Sequence, residues 1–286
     1  MTDTTPTETP ALSDATHLGR VTLRVGSLDS VVPFYRDVVG LDVEREGSRA
    51  VCSAGGDPLV VLEEDPDAPR RTRDQSGLFH LAIRVPDRGA LGDALVRIRD
   101  HTSLSGASDH LVSEALYLRD PEGNGVEIYR DRPRDEWPRK QDGRVAMDTL
   151  HLDLEPLVED ARGDDGAPVG TDLGHVHLEV SDLARSLDFY TDALGMNLRD
   201  DGYPGAAFVA AGEYHHHVGL NRWNERTAPV GGSRGVDWFE VVVPDADTLD
   251  AVWDSLEQAG HAVEASNETL TVSDPDGIGV RVTVAR

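Results

Sequence analysis

Internal repetition constrains this chain more than any other feature. Residues 18–41 read LGRVTLRVGSLDSVVPFYRDVVGL and residues 173–196 read LGHVHLEVSDLARSLDFYTDALGM, an offset of 155 residues (173 − 18). FHLAIRVPD at 79–87 matches DWFEVVVPD at 237–245, and DPEGNGVEI at 120–128 matches DPDGIGVRV at 274–282. The chain is therefore a duplicated half. Each half itself reads as two copies of strand, helix and further strands, with starts near residues 18, 79, 173 and 237. Four βαβββ modules, an α+β fold, follow.

The local signals agree with that reading. Val21, Leu23 and Val25 alternate with other residues, as do Val176, Leu178 and Val180, the period of a strand with one buried face. Residues 29–39 and 182–194 carry helical spacing, with Phe34 and Phe189 as core positions and Gly40 and Gly195 as stops. Asp-Pro-Glu-Gly at 120–123 and Asp-Pro-Asp-Gly at 274–277 predict turns between strands. The polar residues 1–16 read as a flexible tail and 17–131 as the first half (modules one and two). Residues 132–171 read as a connector with a short helix around Leu152 to Ala161, and 172–286 as the second half (modules three and four).

Charge limits the partners. With 53 acidic against 27 basic side chains the net charge is −26, and Lys140 is the single lysine. Such a surface repels phosphate backbones and anionic lipids, and no basic stripe reverses the sign locally, so nucleic acid and membranes are excluded as partners. No apolar run of about 18 residues and no basic, apolar leader is present, which predicts a cytoplasmic protein. Trading lysine for acid and arginine along the whole chain suits a solvated surface in high salt and resembles proteins of salt-loving archaea. Cys52 is alone, in an apolar strand pattern, and reads as a small core residue rather than part of a disulfide or zinc framework. A homo-oligomer is left open.

In a duplicated chain, equivalent positions with different residues tell which copy holds a site. The first strands of the four modules carry Arg20, His80, His175 and Trp238 at the corresponding position, and the last strands compare Glu127 with Arg281. Modules one and four thus read as metal-free. No phosphate-binding loop, dinucleotide fingerprint or nucleophile elbow occurs.

Histidine on the first strand and glutamate on the last strand of such a module resembles the vicinal oxygen chelate (glyoxalase/bleomycin resistance/dioxygenase) superfamily. Its modules form two cup-shaped barrels with a divalent metal held by the strands of one cup. Pairing modules two and three would gather His80, Glu127 and His175 as metal ligands, beside the run YHHH at 214–217. Pairing one with four would gather Arg20, Trp238 and Arg281, which hold no cation. Two imidazoles and one carboxylate leave three positions of an octahedral ion open, the pattern of non-haem Fe(II) oxygenases.

Within the superfamily the segments THLG at 16–19, DHLVSEALYLRDPEGNGVEIY at 109–129, LGHVHLEVSDL at 173–183 and YHHHVGLNRW at 214–223 resemble catechol 2,3-dioxygenase-like, type I extradiol ring-cleaving enzymes. The resemblance implies Fe(II), or Mn(II), a catechol-like or hydroquinone-like aromatic substrate and dioxygen. It implies His216, which precedes His217 and the apolar-small-apolar run Val218, Gly219, Leu220, as acid/base, and Tyr117, ten residues before Glu127, as hydrogen-bond donor. His110 would support Tyr117, although its spacing to Tyr117 is shorter than the family pattern. Strand alternation with Val218 and Leu220 in the core instead turns His215 and His217 toward the cup as substrate contacts, a conflict that a β-bulge would resolve. Two other functions share the fold: a glyoxalase-type isomerase or lyase, which would bring a fourth protein ligand, and a metal-free small-molecule-binding resistance protein.

Overall fold

The structure, a computed structural model, describes residues 11–285. Module one comprises β1 (His17–Val25), helix α1 (Leu28–Pro33) running into a π-helical turn over Phe34–Val39, then β2 (Asp42–Glu46), β3 (Arg49–Ala54) and β4 (Asp57–Glu64). Module two is β5 (Gly77–Arg84), α2 (Arg88–His101), β6 (Gly106–Asp109), β7 (Ser113–Arg119) and β8 (Gly125–Asp131). The connector supplies β9 (Leu150–His151) and α3 (Leu154–Glu159). Module three is β10 (Asp172–Glu179), α4 (Leu183–Asp188) with a π-helical turn over Phe189–Ala193, β11 (Asn197–Asp200), β12 (Ala206–Ala210) and β13 (Val218–Asn221). Module four is β14 (Gly235–Val243), α5 (Ala246–Gln258), β15 (Glu264–Ser266), β16 (Thr269–Ser273) and β17 (Gly279–Val284).

The repeat is visible in the bonds as well as the letters. Gly40 and Gly195 end the first helices of the two halves at φ 87° and 89°, a left-handed conformation that glycine adopts without cost from a Cβ. In the turn at 120–123, Asp120 Oδ1 accepts the amides of Glu122 and Asn124, both at 2.9 Å. Asp274 Oδ1 does the same for Asp276 and Ile278 at 2.9 Å. Each aspartate also receives a buried hydroxyl, Tyr35 on Asp120 at 3.3 Å and Tyr190 on Asp274 at 3.1 Å. The first helix of each half is thereby tied to the last turn of the same half.

The sheets cross between the halves. One sheet runs β15-β16-β17-β14-β1-β4-β3-β2 and joins modules four and one; the other runs β11-β12-β13-β10-β5-β8-β7-β6-β9 and joins modules three and two. Antiparallel pairs make both junctions, β1 with β14 and β10 with β5. The apolar sides of both sheets, including Val21, Leu23, Val176 and Leu178, pack with the helices into one buried core, Cys52 among them. Burial pushes the Cys52 thiol up to about 12, which leaves it inert.

Two boundaries differ from the sequence reading. Residues 1–10 of the expected tail lie outside the described residues, but residues 11–16 are anchored at two points: Leu12 is buried and its amide bonds Gly195 O at 3.0 Å, and Asp14 accepts the Glu213 amide at 3.0 Å. An apolar leucine in polar surroundings carried that anchoring. The connector contains the expected helix, yet it is more than a linker, because β9 pairs with β6 and extends the second sheet.

Candidate active site

Strand register brings the site together row by row. Tyr117 faces Glu127 across β7–β8, Glu127 faces Ala82 across β8–β5, and Ala82 faces His175 across β5–β10. Ala82 is the small residue between two ligand-type side chains, so the glutamate and histidine reach over it. In the neighbouring row His80 pairs with His177, and His177 pairs with Gly219 of β13. Glycine bounds this row for steric reasons. A Cβ on Gly219 would lie 2.8 Å from the His177 ring, and one on Gly125 would meet the Phe79 carbonyl and lie 3.0 Å from the His80 Cβ.

His80 Nε2 and His175 Nε2 lie 3.0 and 3.2 Å from the same Glu127 oxygen and 3.3 Å from each other. Adjacent donors on an octahedral ion with bonds of about 2.1 Å are about 3.0 Å apart (2.1 × √2), so this triangle fits one face of such an ion. Among the described residues it is the one group of three histidine, cysteine or acidic side chains with that closeness, and all three are buried. Burial pushes His175 down to about 4 despite Glu127 beside it. Burial alone would raise the Glu127 carboxyl, but His175 and His80 outweigh it and hold it well below the usual carboxylate range. At neutral pH the triad thus offers a carboxylate and an uncharged His175 imidazole, the state that takes up a cation. The other sheet carries no equivalent: Arg281 stacks on Trp238 at 3.7 Å, Arg20 lies over the same ring at 5.6 Å, and Arg20 pairs with Glu240 at 3.3 Å.

Hydrogen bonds fix the histidine run beside the triad. Asp131 receives Arg84 at 3.0 Å and the Tyr214 hydroxyl at 2.9 Å, and lies at about 2 because, against its burial, His215 and Arg84 favour the charged form. His215 Nε2 lies 2.9 Å from Asp131 and therefore carries the proton, which leaves its Nδ1 as acceptor. His216 Nδ1, 2.8 Å from His215 Nδ1, must then be the donor, and its Nε2 remains an unprotonated acceptor nitrogen. His216 lines the cavity, with its ring 4.2 Å from that of His175. On the other side His110 Nδ1 donates to Asp148 O at 2.7 Å, so His110 Nε2 accepts from the Tyr117 hydroxyl at 2.7 Å. Burial, with Glu127 nearby, pushes the Tyr117 phenol well above its ordinary value and keeps it protonated.

Of the expected site residues, His80, Glu127, His175, His216, Tyr117 and His110 all line one cavity. His215 and His217 are not among the residues that line it. His215 is fully buried on Asp131, and His217 Nδ1 accepts the Ala211 amide at 3.1 Å with its ring against Tyr214. The alternation argument failed because β13 begins only at Val218, and 211–217 is a bent turn with no regular period. His177 was missed, although its place two residues after His175 on a strand puts both on one face. It is buried, lines the cavity among Phe79, Phe208 and Trp223, and its Nε2 has no partner. Asp131 and the connector residues Met147, Asp148 and Thr149 were also unforeseen.

The cavity has a volume of about 420 Å³. No helix among the described residues is long and apolar enough to cross a membrane.

The Glyoxalase/Bleomycin resistance protein/Dioxygenase superfamily model matches residues 17–128 and 172–282. The chain is 42% identical over 277 residues to a catechol-2,3-dioxygenase of Bacillus subtilis, covering 93% of this chain and 96% of that protein. It is 30% identical over 149 residues to a biphenyl-2,3-diol 1,2-dioxygenase of Rhodococcus globerulus, covering 49% of this chain and 78% of the relative. In fold it is similar to glyoxalase I from Zea mays, with a TM-score of 0.56 at 18% identity over 93% of this chain and 92% of that one. Repeat, sheet pairing and sequence likeness agree that this chain belongs to the glyoxalase/bleomycin resistance protein/dioxygenase superfamily.

Proposed function

We propose that the protein is a metal-dependent extradiol dioxygenase that opens the ring of a catechol-like aromatic, with Fe(II) as its metal and Mn(II) as the alternative ion. The observation that carries this reading is the buried triangle of His80, Glu127 and His175, flanked in one cavity by an acceptor nitrogen on His216 and the hydroxyl of Tyr117. The 42% likeness to a catechol-2,3-dioxygenase supports the reaction class.

His80, Glu127 and His175 would hold the ion, which when bound supplies Lewis acidity toward two adjacent phenolic oxygens and the redox capacity to engage dioxygen. The residues around it manage protons. His216 Nε2 accepts a phenolic proton from the incoming diol, and the hydrogen bond from its Nδ1 to His215 holds the ring in the accepting orientation. The same nitrogen later returns that proton to an oxygen of the ring-opened product. Tyr117, kept protonated, turns its O–H from His110 toward oxygen as negative charge develops there. The sum breaks the ring bond beside the diol and leaves both atoms of dioxygen in the product. A glyoxalase-type isomerase is less well supported, because no fourth histidine, cysteine or acidic group joins the triad among the described residues.

The test is metal analysis of protein prepared without oxygen, followed by catechol and air. One ion per chain and a yellow ring-opened product are expected; stoichiometric iron with no oxygen uptake for any catechol would overturn the reading.

A further inference from the structure

We infer that Glu179 is a positioning residue of this site: through Asn224 and Arg226 it holds residues 222–226 in the conformation that sets the Trp223 ring into the cavity wall. The role rests on the proposed binding of the aromatic in this cavity and concerns its wall rather than the reacting groups.

Strand β10 creates the arrangement by its period. His175, His177 and Glu179 stand two residues apart on one face, so a triad member, a wall residue and a third buried polar side chain follow one another along the strand. Glu179 is 1% exposed, sits opposite Gly77 of β5 and Asn221 of β13, and is not among the residues that line the cavity. A carboxylate buried to that degree needs counter-charges and donors. Arg226 Nη2 donates to its two oxygens at 3.0 and 3.1 Å, Asn224 Nδ2 donates to Oε1, and Arg71 Nη1 lies 2.9 Å from Oε2.

Two of these partners lie one and three residues beyond Trp223, around a turn that the backbone alone does not favour. Glu225 sits at φ 51°, in the left-handed region that a side-chain-bearing residue adopts at a cost, and its amide closes the turn on Arg222 O at 3.0 Å. Such a conformation persists where the surroundings over-determine it, and Glu179 supplies bonds on both sides of residue 225. The turn delivers the indole. Trp223 lines the cavity with its ring 5.3 Å from that of His177 and 5.4 Å from that of Phe79, yet it is 46% exposed. A ring with that much free surface has little packing to hold it, so its place follows the segment that carries it. His177 Nε2 is buried beneath it without a partner, so a displaced indole lets water reach that nitrogen and loosens the wall against which the aromatic lies.

Arg71 provides the comparison. It belongs to the chain between modules one and two, which is tied to the Trp223 segment through its main chain: the Thr227 and Ala228 amides both donate to Asp74 O at 2.9 Å. Removing the Arg71 side chain takes one cation from Glu179 and leaves both bonds beside Trp223 in place. Removing that of Arg226 takes one cation as well but frees the turn. In either variant the carboxylate keeps one arginine, so no charge is buried alone and the fold should stand.

The experiment compares Arg226→Gln, Arg71→Gln and wild type by two readouts. The first is acrylamide quenching of Trp223, taken as the difference between each protein and its Trp223→Phe counterpart. The second is calorimetric titration of the metal-loaded protein with catechol under oxygen-free conditions. Arg226→Gln should expose Trp223 to the quencher and weaken catechol binding about tenfold, the equivalent of one lost charge-assisted hydrogen bond, with metal content unchanged. In air the loss should appear in KM, with kcat within a few fold. Arg71→Gln should leave quenching and binding within about twofold of wild type, and Asn224→Ala should repeat the Arg226→Gln pattern more weakly. Unchanged quenching in Arg226→Gln, equal damage in Arg71→Gln, or a freed Trp223 with catechol binding intact overturns the inference. Failure of the wild-type protein to bind catechol contradicts the dioxygenase reading instead, and the Trp223 signal then decides the clamp by itself.

Discussion

Replacing His215 tests the hydrogen-bond chain behind the site without touching substrate or triad. In His215→Phe, His216 Nδ1 loses the acceptor at 2.8 Å that fixes its tautomer. An unpaired donor in a water-poor site costs about 1–3 kcal/mol, comparable to the preference it enforced, so the ring shifts toward the tautomer with hydrogen on Nε2. That tautomer cannot accept the phenolic proton. A base contributes about 10²- to 10⁴-fold, and weakening its orientation by about 1.4–2.8 kcal/mol predicts a kcat loss of about 10- to 100-fold. Asp131 keeps Arg84 and Tyr214, so the fold should persist. Oxygen-uptake kinetics and metal analysis on the purified variant provide the assay, with KM and metal content unchanged to within a few fold. His215→Asn retains an acceptor where Nδ1 stood and should recover most of the loss. Wild-type kcat in His215→Phe would refute the reasoning, and equal damage in His215→Asn would show that packing, not orientation, was lost.

Two further predictions concern stability and space. Burial holds His217 down to about 3, while in the unfolded chain an imidazole titrates near 6.5; the unfolded chain therefore binds the extra proton between those values. The stability from this group is complete above about pH 6.5 and is lost as pH falls toward 3, at about 1.4 kcal/mol per pH unit. His217→Asn keeps an acceptor for the Ala211 amide and should flatten urea-derived stability against pH by about that slope; an unchanged slope would contradict it. Gly125→Ala forces a methyl onto the Phe79 carbonyl and His80, and should cost about 1–3 kcal/mol with weakened metal binding in a metal titration. Gly106→Ala, whose added Cβ meets nothing nearer than 3.9 Å, should leave both unchanged, and equal loss in the two would remove the steric argument.

Much of this molecule could be read from the chain because a repeat turns one sequence into its own comparison. His80 and His175 against Arg20 and Trp238 pointed to modules two and three, and sheet order bears out that pairing. Gly40, Gly195 and the two Asp-Pro turns mark element ends through local backbone chemistry, which needs no knowledge of distant contacts. What escaped depends on such contacts. The run 214–217 lies outside any regular strand, so no period could tell His216 from its neighbours. Asp148 supports His110 through a backbone carbonyl, which no side chain in the sequence announces. His177 was legible from spacing alone; its aromatic neighbours come from three other segments. The anchoring of Leu12 required knowing that Gly195 O would be near.

The central claim is that this cavity inserts both atoms of dioxygen into a catechol ring. Its most direct test supplies ¹⁸O₂ to the Fe(II)-loaded protein with catechol and determines the product by mass spectrometry. The account predicts a ring-opened product carrying two labelled oxygen atoms, both from a single dioxygen. A product with no label, or an intact ring with one labelled hydroxyl, would contradict it.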